Sequence, residues 1–196
     1  MMLSLLALTM VAALPDPLQI VKAADDDVQK ILQGSDATTA KLAETADKYI
    51  DFGELAKRAL GTEWANLKKP QQDDFCATMK GLLRASYAQK AIGDGRASAK
   101  IAYGSEMLNC NEATVLSTVT VKKDDFPVVY KLCRANEKAG WKIYDVITDE
   151  VSLVQTYNDQ FRQTISKKGI DGLLKALKAR RVQLETPVAP AAVPGK

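Results

Sequence analysis

Asp145 has the best claim to chemistry of any residue in this chain. It lies in Trp141-Lys142-Ile143-Tyr144-Asp145-Val146, directly after a tyrosine and among bulky side chains. A carboxylate beside a phenol can move a proton. Asp145 with a tyrosine would then be the centre of a small enzyme with a cone-shaped α+β fold. The opposing reading is a strand-end carboxylate held by a lysine or by backbone amides. That reading is preferred, because displaced carboxylates are often structural and nothing else stands in register to complete a site. The chain has no histidine, which removes Ser-His-Asp hydrolysis, Cys-His chemistry and histidine-ligated metals. Gly93-Asp94-Gly95 is a turn signal and not a phosphate cradle. Gly104-Ser105-Glu106 lacks the second glycine of a nucleophile elbow. Asp25-Asp26-Asp27 and Asp73-Asp74 read as solvated helix starts. No catalytic residue, metal or cofactor is expected.

The three cysteines, Cys76, Cys110 and Cys133, form no even framework and no CxxC pair. Cys76 sits beside Phe75 and three residues before Met79 on a helical face, as a buried thiol would. Cys110 and Cys133 fall near neighbouring strands and would be able to pair in an oxidising compartment, although sequence cannot set their separation. Tyr87, Tyr103, Tyr130, Tyr144 and Tyr157 are spread over segments expected to face one another. They suit either a binding cavity or a packed core with hydroxyls at its rim.

These residues must be positioned by helices at both ends of the chain and strands between. Val28, Ile31 and Leu32 follow the three aspartates as a short helix, with the acids at its positive end. Leu42, Ala46 and Tyr49 mark a helix from about 37 to 50, opened by Gly34-Ser35-Asp36. Asp51 with Glu54 makes a capping box for Phe52–Leu60, and Gly61 stops it. Pro70 opens a longer helix whose face carries Phe75, Met79, Leu82, Leu83 and Tyr87, ended by Gly93 and Gly95. After residue 95 the apolar period changes from about 3.6 to 2. Strands are expected at 97–103, 113–121, 127–133 and 140–147, with turns at Asp124-Asp125 and Glu137–Gly140. Val151, Val154, Tyr157, Phe161 and Ile165 then form a helical stripe, with Asp149 as its cap. A last helix covers 171–181. Helices, then strands, then helices is an α+β order.

The stretch Trp141–Phe161 also makes the chain recognisable. Its W-K-x-Y-D-V, V-S-L-V, T-Y and Q-F, in that order, resemble the signature of the MlaC family of periplasmic phospholipid carriers, also called toluene-tolerance auxiliary proteins. Upstream, Asp51-Phe52, Leu55-Ala56, Arg58–Gly61, Trp64, Gln71-Gln72, Phe75, Leu82-Leu83 and Tyr87-Ala88 resemble the family's helical half. Downstream, Gly169–Asp171, Leu173-Leu174 and Leu177 resemble its last helix. Glu150 stands where the resemblance calls for glycine, and Asn158 where it calls for arginine. The resemblance covers residues 25–180. It implies N-terminal helices, a four-stranded, mostly antiparallel sheet and two C-terminal helices enclosing an apolar cavity for acyl chains. Leu83, Tyr87, Val119, Tyr130, Tyr144, Val146, Val154 and Tyr157 would line it, with phospholipid as cargo. It further implies partners in an inner-membrane MCE-type ABC transporter complex and an outer-membrane lipoprotein complex.

Composition agrees with one globular domain: 196 residues, 46% hydrophobic and 26% charged. A net charge of +3 gives no argument for nucleic acid. Leu3–Leu14 is an apolar run too short to span a bilayer, broken by Pro15 and Pro17. It fits the apolar core of a signal peptide, although no cationic segment precedes it. Val21-Lys22-Ala23 supplies a cleavage site. The expected organisation is a leader over 1–23, a lipid-binding domain over 24–181 and a disordered tail over 182–196, Pro/Ala-rich from Thr186. A periplasmic monomer is expected.

Overall fold

A computed structural model describes residues 14–35, 37–93 and 99–185. Four helices come first: α1 (Pro17–Gln33), α2 (Thr39–Tyr49), α3 (Phe52–Leu60) and α4 (Lys69–Gly93). A 3-10 turn, Gly61–Asn66, joins the last two. Strands β1 (Lys100–Asn109), β2 (Glu112–Val121), β3 (Asp124–Cys133) and β4 (Lys142–Thr148) pair as antiparallel neighbours in chain order. A short β5 (Val151–Ser152) joins the β4 edge, and α5 (Leu153–Glu185) ends the described chain. Gly169, at φ 68°, kinks α5 into two segments. The order is α+β, with five strands where four are expected.

The differences from the sequence reading have local causes. Val151 and Ser152 do not open the last helix. Asp149 and Glu150, at φ 50° and 63°, turn the chain back so that Val151 pairs with Thr148 and Ser152 with Ile147. Asp149 is therefore a turn residue and not a cap. β1 continues beyond residue 103 because an irregularity between Tyr103 and Glu106 absorbs Gly104 and Ser105 without ending the pairing. Asp124 and Asp125 belong to β3, since the turn before them is Lys122-Lys123 alone. The helix opened by Asp51 runs from Phe52 to Leu60 as expected. The Asp51 carboxylate accepts the Glu54 amide at 2.8 Å. The reciprocal half of the box is absent because the Asp51 amide donates instead to the Ile143 carbonyl of β4.

The N-terminal helix is longer than expected. Asp16 caps it, accepting from the Gln19 amide at 2.7 Å, and Pro17 occupies the first turn, where no amide donor is needed. Val21 is fully buried against the sheet. The folded domain therefore begins before residue 24. At the other end α5 reaches Glu185, so residues 182–185 are helical and not part of a tail. Residues 1–13 of the expected leader and residues 186–196 of the expected tail lie outside the described residues, as do Asp36 and Gly95.

Two apolar cores result. Alternate residues of β2 and β3 (Ala113, Val115, Val128, Tyr130, Leu132) bury one sheet face with Trp141 and Ile143, and Val21 of α1 packs on it. The second core is helical: Phe52, Leu55, Ala59 and Leu60 of α3, Phe75, Met79, Leu82 and Leu83 of α4, and Phe161, Leu173, Leu174 and Leu177 of α5. Phe75 and Phe161 meet edge to face with ring centroids 5.7 Å apart.

The turn between β4 and β5 yields a prediction. A non-glycine residue in the left-handed region is strained by roughly 1–2 kcal/mol, part of which glycine returns through its freer unfolded chain. Glu150→Gly should therefore stabilise the protein by about 0.5–1 kcal/mol. Urea denaturation of the two proteins side by side measures it.

Candidate functional site

The two cores meet along β4. At its start, Ile50 bridges Ile143, and the Asp51 amide bonds the Ile143 carbonyl at 2.8 Å. Further along, the register slips between Lys131–Asp145 and Leu132–Ile143. Two consecutive residues, Tyr144 and Asp145, therefore turn toward the helical layer. Val146 returns to the sheet core opposite Tyr130.

Asp145 is buried and fully engaged. One carboxylate oxygen accepts the Val154 amide at 3.0 Å. The other accepts the Ser152 hydroxyl at 2.7 Å, and Ser152 Oγ in turn accepts the Gln155 amide at 3.0 Å. Asp145 and Ser152 together cap α5, satisfying amides of its first turn. This is the structural role that the sequence favours over proton transfer.

Tyr144 packs under the Arg58 guanidinium, 3.9 Å from its ring centroid. Arg58 also bonds Glu54 at 2.8 Å and Glu112 at 2.6 Å. Burial opposes its charge, but those two carboxylates outweigh it and hold the guanidinium more firmly protonated. Burial pushes the Tyr144 hydroxyl up, and Arg58 partly offsets this. Cys133 lies in the same neighbourhood. Its thiol is raised to about 11, first by burial and then by nearby carboxylates, so it is a poor nucleophile. All three cysteines are free.

The eight expected lining residues divide between the cores. Val119, Tyr130 and Val146 belong to the sheet core beneath α1. Leu83, Val154 and Tyr157 belong to the helical core. Burial raises the Tyr157 hydroxyl, with Arg180 acting against it. Tyr144 lies between the cores against Arg58, and Tyr87 is 39% exposed on α4. The structure thus brings these residues together as two groups on either side of the β4 seam. Two recesses of about 340 and 310 Å³ open on the helical surface, the first beside Leu174 and Lys178 and the second beside Gly81 and Arg181. None of the eight lines either one.

Sequence reasoning missed the part played by α1. Its aspartates lie in mid-helix and bind tyrosines. Asp25 accepts from Tyr103 at 3.0 Å and from Tyr130 at 3.3 Å. Asp27 accepts from Tyr49 at 2.8 Å, and that bond, with burial opposing and Lys48 assisting, holds its carboxyl below the ordinary 3.8. Burial and Asp27 raise the Tyr49 hydroxyl to about 12. The Leu18 amide donates to the Glu106 carboxylate at 3.1 Å. Three consecutive acids within one helix, with tyrosines elsewhere, were the available signal.

Asn158, which stands in place of an expected arginine, donates from its amide nitrogen to the Ala59 carbonyl at 3.0 Å. It covers the end of α3 and lies over Gly61, where a Cβ would come within 2.8 Å of its nitrogen. It is an α3–α5 clasp.

Comparison with known proteins decides the family. The family model described as MlaC protein matches residues 18–179. The chain belongs to the MlaC family. The matched region begins one residue into α1, as the burial of Val21 requires. A curated relative is the intermembrane phospholipid transport system binding protein MlaC of Haemophilus influenzae, 21% identical over 128 residues. That match covers 64% of this chain and 60% of the relative, so the chain spans well under two thirds of the relative's length. A solved structure, the phospholipid-binding protein of Ralstonia solanacearum in complex with a phospholipid, is 27% identical with a TM-score of 0.77. The match covers 88% of this chain and all of that one.

Two predictions follow from the site. Asp145→Asn places an amide where two donors converge and should cost about 1–3 kcal/mol of stability. Its melting temperature should fall while any bound lipid is retained. A carboxylate whose folded pKa is lowered stabilises above its unfolded value, and that contribution disappears as pH falls through the folded one. Asp27→Asn should therefore be less stable than the parent at pH 7, by about 1 kcal/mol or less. The gap should close as pH falls below 3.8. A pH series of urea denaturations reads both arms.

Proposed function

We propose that this protein is a soluble phospholipid carrier of an intermembrane transport system, with acyl chains held between its two apolar cores. The observation that carries the reading is the match along the whole length of a phospholipid-bound structure. The seam along β4 supports it, because the helical core and the sheet core are separately packed and joined by few bonds. On this reading Val119, Tyr130 and Val146 line the cargo from the sheet, and Leu83, Tyr87, Tyr144, Val154 and Tyr157 from the helices. The chemistry asked of the protein is apolar contact and nothing more. Each buried methylene is worth about 0.8 kcal/mol, so two chains of about sixteen carbons resist leaving a membrane by roughly 25 kcal/mol. A carrier must offer an interior of similar quality. The head group can remain in water, so no strong polar site is needed. Cargo delivery to an inner-membrane MCE-type ABC transporter complex and receipt from an outer-membrane lipoprotein complex, or the reverse, complete the proposal.

Such a carrier works between membranes, and the apolar run Leu3–Leu14 serves as its export leader. Cleavage after Ala23 would remove Pro17 and Val21, both buried. Cleavage after Ala13, with Val11 and Ala13 as the small residues the peptidase reads, leaves α1 whole. N-terminal sequencing of the exported protein distinguishes the two. No helix of the described residues is long and apolar enough to cross a membrane.

The rival reading, an enzyme using Asp145 and a tyrosine, is disfavoured because both Asp145 oxygens are occupied by the α5 cap. Organic extraction of the purified protein, followed by mass spectrometry, should yield diacyl phospholipid in a near-integral ratio. Val154→Trp should lower that ratio by at least half. It should leave the melting temperature of the delipidated protein within a few degrees, because the added ring would fill space otherwise held by acyl carbons. In a permanently closed core the same change overpacks and costs about 1–3 kcal/mol. Unchanged lipid with a large fall in melting temperature would reject the carrier reading.

A further inference from the structure

The positive charge of this protein is concentrated on one element. Residues 162–185 of α5 hold seven cations (Arg162, Lys167, Lys168, Lys175, Lys178, Arg180, Arg181) and two acids (Asp171, Glu185), a net of +5. The whole chain carries +3, so everything outside α5's distal part sums to −2. Packing fixes the direction of this charge. Leu173, Leu174 and Leu177 are buried in the helical core, which turns Lys175 and Lys178 outward on the opposite face. Lys167, Lys168, Lys175 and Arg180 are likewise exposed.

Few of these charges are used within the fold. Lys178 pairs with Asp74 at 2.7 Å, and Arg181 with Glu185 at 2.7 Å. Among the described residues, Arg162, Lys167, Lys168 and Lys175 have no carboxylate within ion-pair distance. The acid of α4 that meets this surface is Asp74, already paired with Lys178, and its neighbour Asp73 is paired with Lys69 of its own helix. Asp171 is the remaining acid on α5 beyond Arg162, and Asp159, before it, accepts from Gln155.

We infer that the outer face of α5 beyond Arg162 is a docking surface for an anionic phospholipid bilayer. Several features favour a bilayer over an acidic protein. The cations, from Arg162 to Arg181, are spread over two helical segments that meet at Gly169, about 28 Å of helix in all at 1.5 Å per residue. The three unpaired lysines are flexible point charges without the bidentate fork that reads single carboxylates. The recess on this surface is open, and four of the five residues that line it, Asp74, Asp171, Lys175 and Lys178, are charged, with Leu174 the one apolar group. A smeared array of ammonium groups matches a smeared negative surface, each cation near it raising affinity about fivefold. With the apolar stripe of the helix committed to the core, attachment is electrostatic, reversible and screened by salt. The inference holds whether or not the interior carries lipid, since it rests on surface charge alone.

Sedimentation with vesicles tests it, using the full-length exported protein. Vesicles of phosphatidylcholine with one quarter phosphatidylglycerol should capture the protein in 50 mM salt. They should release it at 500 mM, and vesicles of phosphatidylcholine alone should not bind it. The triple change Lys167→Glu, Lys168→Glu and Lys175→Glu should weaken capture at least tenfold, with melting temperature and extracted lipid unchanged. Lys122→Glu with Lys123→Glu, on the β2–β3 turn, should leave capture within twofold. Absence of capture at low salt, or equal loss with the turn variant, would overturn the inference. So would salt-sensitive binding to an acidic protein without binding to vesicles.

Discussion

A single buried carboxylate joins the sheet to the long C-terminal helix. Asp145 leaves β4 toward the helical layer only because the β3–β4 register slips beside Lys131, and its two oxygens then hold the Val154 amide and the Ser152 hydroxyl. Without that slip, strict alternation would set Tyr144 and Asp145 on opposite faces of the strand. With it, Tyr144 can meet Arg58 of α3 while Asp145 caps α5. The helical layer is thus oriented from one end of one strand. The Ile50–Ile143 bridge supplies a second attachment at the other end.

A protein assembled in this way has two interiors instead of one continuous core. Burying apolar surface is worth about 25 cal/mol per Å² wherever it occurs, so two smaller cores can stabilise a domain of this size. Across their boundary run the Ile50–Ile143 bridge, the Arg58–Tyr144 contact and the Asp145 cap of α5. On the proposed carrier reading this boundary is where acyl chains would enter, since a single close-packed core resists insertion. The first helix, α1, is fastened to the sheet core and to α2 by tyrosine–carboxylate bonds to Asp25 and Asp27 as well as by Val21. Directional bonds of this kind fix its register on a face where aliphatic contact alone would permit sliding.

Much of this was legible in the residues. Asp51, Gly61 and Pro70 mark helix ends through local rules that need no tertiary information, and each acts where those rules place it. The α+β order and the antiparallel meander follow from the change of period near residue 95. Features set by long-range geometry were not legible. The apolar run before Pro15 drew the domain boundary to residue 24, because nothing in sequence reveals that Val21 packs on a sheet that begins eighty residues later. Period-two counting cannot see the slip that lets Tyr144 meet Arg58 while Asp145 caps α5. Glu150 shows the reverse: glycine was expected from resemblance, and the left-handed conformation that glycine would serve is present with a glutamate in it.

In the proposed carrier, acyl chains lie between the helical and sheet cores. Loading the protein with a phospholipid that carries a photoactivatable diazirine in mid-chain, then mapping the adducts by peptide mass spectrometry, tests this directly. Adducts are predicted on peptides from both sides of the seam, around Val146 of β4 and around Val154 and Tyr157 of α5, and the Asp145→Asn variant should give the same map. Adducts confined to the outer surface of α5, or absent from both seam peptides, would contradict the account.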